Sequence, residues 1–185
     1  EHYCKDRIII CSLINAKSGR CSENCAFCAQ SAHHKVDVAI YPMVEEKEIL
    51  ERAAMLHRNG ARRYSMVTSG FKLNAEEIAT VCRSAEYLTK NTDLTICGSL
   101  GTLTASTAVQ LKKSGVSIFH HNLETARSYF DQVCTTHEYD DDIETVKIAH
   151  AAGMKVCSGG ILGLGENWEQ RIELAFTVKD LKVEG

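Results

Sequence analysis

Five short apolar runs alternate with five amphipathic stretches along this 185-residue chain, and that alternation limits the fold more than any single residue. The runs lie near residues 7–13 (RIIICSL), 63–67, 94–99, 116–122 and 155–161. Between and after them, 3.6-residue periodicity predicts helices near 44–59, 74–90, 105–113, 139–152 and 167–181. Three of these helices meet the next strand through a single glycine, as Asn59-Gly60-Ala61, Ser114-Gly115-Val116 and Ala152-Gly153-Met154. Glycine there closes a helix in the left-handed region. Asn74 with Glu77 three residues on has the form of a capping box. Repeated β/α units imply an α/β fold with a parallel sheet and right-handed crossovers. Five units are too few to close an eight-stranded barrel. The expectation is a partial (β/α) TIM-type barrel, one domain over residues 1–185, stopping before a sixth strand.

Composition narrows the function classes. The formal net charge is −3, with no basic run that would suit nucleic acid. No apolar stretch approaches the ~20 residues of a membrane helix. Nine cysteines, an odd number, without a signal peptide argue against a secreted disulfide framework and for a reducing, cytoplasmic setting. Clustered thiols in such a setting read as metal ligands.

The clearest cluster is Gly19–Ser31, GRCSENCAFCAQS. Cys21, Cys25 and Cys28 have C-x3-C-x2-C spacing, with Phe27 just before the last. Three thiolates from one loop leave a metal centre one ligand short. With His33 or His34 they would form a Cys3His zinc site, which favours a closed tetrahedron. Without a histidine they suit an iron–sulfur cube with one iron open to an outside ligand.

The spacing, the aromatic before the last cysteine and the position after a first β-strand resemble the radical S-adenosylmethionine superfamily. The words SGRCSENCAFCAQS, HHNLET at His120–Thr125, CTTH at Cys134–His137 and VCSGGILGLGE at Val156–Glu166 resemble, within it, the biotin synthase family. The resemblance implies sulfur insertion converting dethiobiotin to biotin, a sulfurtransferase reaction run by an S-adenosylmethionine-derived radical. Cys21, Cys25 and Cys28 would bind the 4Fe-4S cluster. Phe27 would lie beside the adenine, Asn122 would face substrate, and Glu124, where the better-known form has Asp, would accept from the ribose hydroxyls. The family also implies a reducing donor such as flavodoxin or ferredoxin, and a homodimer. Competing readings are a related radical enzyme acting on another substrate, of maturase or methyl-transfer type, and a zinc- or cluster-binding structural module.

The chain departs from that pattern in two places. Cys97 and Cys157 match two cysteines of the family's auxiliary 2Fe-2S cluster, but Ser65 stands at the third. A neutral hydroxyl is a poor iron ligand beside thiolates. Cys134 is therefore expected to supply the missing thiolate, giving a variant auxiliary cluster on Cys97, Cys134 and Cys157 with Ser65 peripheral. The second departure is Asp142, where the family commonly has Arg near the carboxylate of S-adenosylmethionine. An inward acid there would weaken binding relative to Asp142→Arg; otherwise Asp142 is solvated on a helix's first turn, where an acid suits the dipole. Cys11 and mid-helix Cys82 read as buried, and His33-His34 as loop surface. His120-His121 are either packed or substrate-facing. The GLGE turn lacks the third glycine of a dinucleotide fingerprint.

Overall fold

The structure is a computed structural model and describes residues 9–183. Cys4 and the start of the first apolar run lie outside the described residues. The order of elements is β1 (Cys11–Lys17), α1 (Glu46–Arg58), β2 (Arg63–Thr68), α2 (Ala75–Asn91), β3 (Thr95–Ser99), α3 (Ala105–Lys113), β4 (Val116–His120), a 3-10 helix (Arg127–Gln132), α4 (Tyr139–Ala151), β5 (Lys155–Cys157) and α5 (Trp168–Asp180). All neighbouring strands are parallel, in the order β1-β2-β3-β4-β5. The sheet among the described residues is open, part of a β/α barrel wall.

Alternation along the strands assigns the two faces. Ile14, Ala16, Tyr64, Met66, Ile96, Phe119 and Val156 point to the helix layer and are buried. There they meet Ile49, Ala53, Val81, Ala85, Leu88, Leu111 and Val146. Each fully buried large side chain contributes ~1.5–3 kcal/mol. Tyr64 adds a hydrogen bond from its hydroxyl to the Ile49 carbonyl, 2.9 Å. The opposite face carries Cys11, Leu13, Arg63, Ser65, Cys97 and Cys157, and would be a barrel's interior. Leu13 remains 54% exposed there, because no further strand closes over it in the described chain.

The local signals explain most boundaries. Asn74 and Glu77 form a reciprocal capping box. Gly60, Gly115 and Gly153 have φ of 92°, 103° and 80°, the left-handed turn that lets each helix end one step before a strand. The first strand is a correction. It runs from Cys11 to Lys17, later than the apolar run, because pairing starts only where Arg62 and Arg63 N–H groups reach the Ile10 carbonyl. Ile9 and Ile10 stay exposed. β4 and β5 are shorter than expected, but Leu123 N–H bonds Gly159 O and Ile161 N–H bonds Glu124 O, so their extensions stay paired beyond a kink. None of the described helices is long and apolar enough to cross a membrane.

Candidate functional site

The thiolate loop follows β1 and is tied down at both ends. Cys21 N–H bonds Gln30 O and Ala32 N–H bonds Cys21 O, each 2.9 Å, closing the loop on itself. Cys28 N–H bonds Cys25 O, 3.0 Å, so the x2 segment is a tight turn. A second anchor comes from the segment after the 3-10 helix. Ala26 N–H bonds Val133 O at 2.8 Å, and the Asn24 amide donates to Thr135 Oγ1 at 2.7 Å. The ring nitrogens Nε2 of His33 and His34 lie 2.9 Å from the carbonyls of Ser22 and Cys25. They brace the loop instead of closing a fourth ligand position, which weighs against Cys3His zinc. His34 is half-buried, not loop surface.

Beside the loop opens a cavity of about 310 Å³ at the C-terminal ends of the strands, the rim where β/α folds place their chemistry. All three loop cysteines line it, with Thr68, Ser69 and Gly70 after β2, Ser99 and Gly101 after β3, and His120, His121, Asn122 and Glu124 after β4. His137 and Asp142 form its far wall.

That wall is a charge chain. His121 Nε2–H donates to Asp142 Oδ1 at 2.8 Å; His137 pairs with Asp142 through Nε2 at 3.5 Å and with Glu23 through Nδ1 at 2.8 Å. Burial opposes charge on His137, but the bonds to Asp142 and Glu23 outweigh it and push its pKa up to about 9. The ring is therefore an imidazolium at neutral pH. Burial also opposes an ionised Asp142, yet the two histidines hold its carboxyl below the usual range. Asp142 is 5% exposed, so it is not solvated on its helix turn as one expectation had it. Nor is it a bare acid facing the cavity, since two imidazoles take its oxygens. Nothing in the sequence spacing joins Glu23, His121, His137 and Asp142; only the fold does.

Glu124 follows β4 with φ of 62°, a left-handed conformation unusual for a side-chain-bearing residue. Its Oε2 is buried without a partner among the described residues. Burial, then the neighbouring Asp142 charge, raises its pKa to about 7. A buried carboxylate oxygen aimed at a cavity without a donor fits a ligand that brings hydroxyls. Asn122 sits exposed at the cavity mouth. Phe27 is half-buried in the loop and does not line the cavity.

Cys134 sits against the thiolate loop. Its Sγ lies 3.7 Å from Cys25 Sγ and 3.2 Å from His137 Nδ1, on the thiolate-loop side. Cys97 lies lower, on β3, with Ser65 of β2 as its paired neighbour. Cys134 is drawn away because the segment 133–136 is pinned to Asn24 and Ala26. Cys25, Cys134 and His137 offer ligand atoms within 4.8 Å of one another. That spacing suits a single ion and would divert Cys25 from the loop's own set of thiolates.

The comparisons with known proteins decide the family. The family model described as the radical SAM superfamily matches residues 16–178. The chain belongs to the radical SAM superfamily. Within it, the chain is 58% identical to a biotin synthase of Syntrophus aciditrophicus (strain SB), over 100% of this chain and 57% of that protein. It is 50% identical to a biotin synthase of Geotalea uraniireducens (strain Rf4), over 100% of this chain and 56% of that one. The chain thus spans somewhat over half the length of the curated relatives it matches. Among solved structures, methylornithine synthase superposes with a TM-score of 0.84 at 18% identity, covering 98% of this chain and 53% of that one. The FeFe-hydrogenase maturase HydG from Carboxydothermus hydrogenoformans gives 0.77 at 17%, covering 94% and 42%. At those identities the structural likeness speaks to the fold alone, the partial barrel of radical SAM proteins. The superfamily's cofactors, an iron–sulfur cube and S-adenosylmethionine, fit three thiols on one cavity wall and the unpartnered Glu124 oxygen on another.

Proposed function

We propose that this chain is the cofactor-binding part of a biotin synthase, inserting sulfur into dethiobiotin. The observation that carries the reading is that sequence words far apart in the chain converge on one cavity. The thiolate loop, HHNLET and CTTH all line it, and the first residues of GILGLGE are bridged to Glu124. Identity of 58% to a biotin synthase over the full chain supports it.

When bound, a 4Fe-4S cluster with S-adenosylmethionine supplies reductive cleavage of a sulfonium, and so a carbon radical able to take hydrogen from unactivated C–H bonds. The chain's own contribution is holding and orienting. Cys21, Cys25 and Cys28 would ligate three irons and leave the fourth to the amino acid part of S-adenosylmethionine. Glu124 Oε2 would accept from the ribose hydroxyls. The imidazolium of His137 offsets the Asp142 charge and His121 donates a hydrogen bond to it, so the cavity wall does not repel a ligand carboxylate as a lone acid would. Asn122 at the mouth would meet dethiobiotin. Cys97 and Cys157 would serve an auxiliary cluster that supplies sulfur. The reading also takes in a low-potential donor of flavodoxin or ferredoxin type, a homodimer and a cytoplasmic location, in keeping with eight free thiols among the described cysteines.

The test is anaerobic reconstitution of the protein bearing this sequence with iron and sulfide, then reduction with S-adenosylmethionine and dethiobiotin. Biotin and 5'-deoxyadenosine are the expected products. 5'-Deoxyadenosine with no biotin would point to another substrate, and a colourless protein holding one zinc would remove the radical reading.

A further inference from the structure

Ser65 leaves the expected auxiliary cluster one thiolate short, and Cys134 lies against Cys25 instead. The inner face of the sheet offers another thiol. In a closed eight-stranded barrel, inward side chains stack in layers built by alternate strands. The strands tilt, so a shear of eight over eight strands moves the layer by about one residue per strand, or two per alternate strand. The observed register can be followed directly. Cys11 pairs with Arg63, and Arg63 with Thr95; two residues beyond Thr95 is Cys97. Cys97 pairs with Ile118, and Ile118 with Lys155; two residues beyond Lys155 is Cys157. Cys11, Cys97 and Cys157 therefore occupy corresponding positions of one layer, on strands one, three and five.

Charge agrees with the register. Cys97 lies within electrostatic reach of the Cys11 and Cys157 thiols and of Arg63, a fixed cation able to balance thiolates. All three thiols are free. Cys11, expected from the sequence to be buried, is exposed because it faces the open interior and not the helix layer.

We propose that Cys11 is the third thiolate ligand of the auxiliary iron–sulfur cluster, together with Cys97 and Cys157, replacing the ligand that Ser65 does not provide. This rests on the biotin synthase reading. Arg63, paired beside Cys11, offsets the charge of the thiolate set and positions it. Ser65, 5% exposed on β2 between β1 and β3, packs between these strands without ligating iron.

The experiment compares the parent with Cys11→Ser, Cys97→Ser and Ser65→Ala, in the protein bearing this sequence with whatever further chain it carries. Each is reconstituted anaerobically; iron and acid-labile sulfide are counted and Mössbauer spectra recorded. Cys11→Ser is expected to fall to the iron and sulfide content of Cys97→Ser. It should keep the cluster whose spectrum responds to S-adenosylmethionine, and keep the parent's melting temperature, since Cys11 is exposed. Ser65→Ala should match the parent. In the double variant Cys11→Ser/Ser65→Cys, restored iron would identify the loss as that of a ligand. A Cys11→Ser protein retaining the parent's second-cluster signals overturns the proposal while leaving the biotin synthase reading intact. A parent that holds only one cluster overturns both.

Discussion

At the scale of single residues, Glu124 carries the sharpest tension between stability and function. Its carboxyl is buried beside Asp142, with one oxygen unpartnered among the described residues, and its pKa is raised from 4.5 to about 7. A raised folded-state pKa means that protonated Glu124 is tolerated and ionised Glu124 is not. The relative stability it allows is whole below about pH 4.5 and is lost as pH rises through about 7. Glu124→Gln stays neutral throughout. The ligand-free variant should therefore exceed the parent by on the order of 1–3 kcal/mol at pH 8, with the advantage shrinking towards pH 5. Denaturant midpoints at the two pH values measure this, and an equal difference at both would remove the explanation. The same change should weaken S-adenosylmethionine by about tenfold, since charge-assisted bonds to hydroxyls are roughly twice as strong as neutral ones. Asp142 behaves differently. The sequence shows an acid where the resemblance implies a cation, and repulsion is the natural expectation from one position. The two histidines that take its oxygens are 5 and 21 residues away along the chain, so their help was invisible before folding. Asp142→Arg would set a guanidinium against the His137 imidazolium and is expected to lower the melting temperature, not to tighten binding.

Elements convert these residues into a site. The extensions of β4 and β5 hold Glu124 in its left-handed conformation, with Ile161 N–H on the Glu124 carbonyl at 2.8 Å. Gly160 is what permits this approach. A Cβ there would stand 2.6 Å from the Glu124 carbonyl oxygen and 2.7 Å from Leu174 Cδ2, and the first of these is backbone that cannot step aside. Gly160→Ala is expected to cost about 1–3 kcal/mol by overpacking and to weaken S-adenosylmethionine more than Glu124→Gln does, because it displaces the whole turn. Unchanged melting and unchanged affinity would show that the turn does not place Glu124. The order and type of the elements were legible because capping residues and glycine stops lie next to the helices they end: the Asn74–Glu77 box and Gly115 are local. The start of β1 was not, because three isoleucines in a row satisfy an apolar pattern wherever the partner strand begins. The position of Cys134 was not legible either. The hydrogen bonds that fix its segment come from Asn24 and Ala26, more than 100 residues earlier.

At the scale of the whole molecule, the described chain has two faces that its own contacts leave open. The inner face of the sheet exposes Leu13, and α5 exposes Trp168, Ile172 and Phe176 at 72%, 54% and 57%. These three recur every four residues, one stripe along the helix opposite its buried Leu174. A stripe of that width on a lone surface helix marks a contact face. In a β/α barrel the neighbour would be the helix of a following unit, and the curated relatives extend well beyond the matched segment. A chain of these 185 residues by itself should therefore associate through α5. Replacing Trp168, Ile172 and Phe176 together by Gln should shift it towards monomer in sedimentation, with little change in its melting temperature, since their side chains bury little in the described chain. In a longer protein that carries a following unit, the same triple change should destabilise by several kcal/mol, at ~1.5–3 kcal/mol per buried large side chain. Equal melting of the triple variant and its parent in that longer protein would show that the stripe faces solvent there and that another surface carries the barrel's continuation.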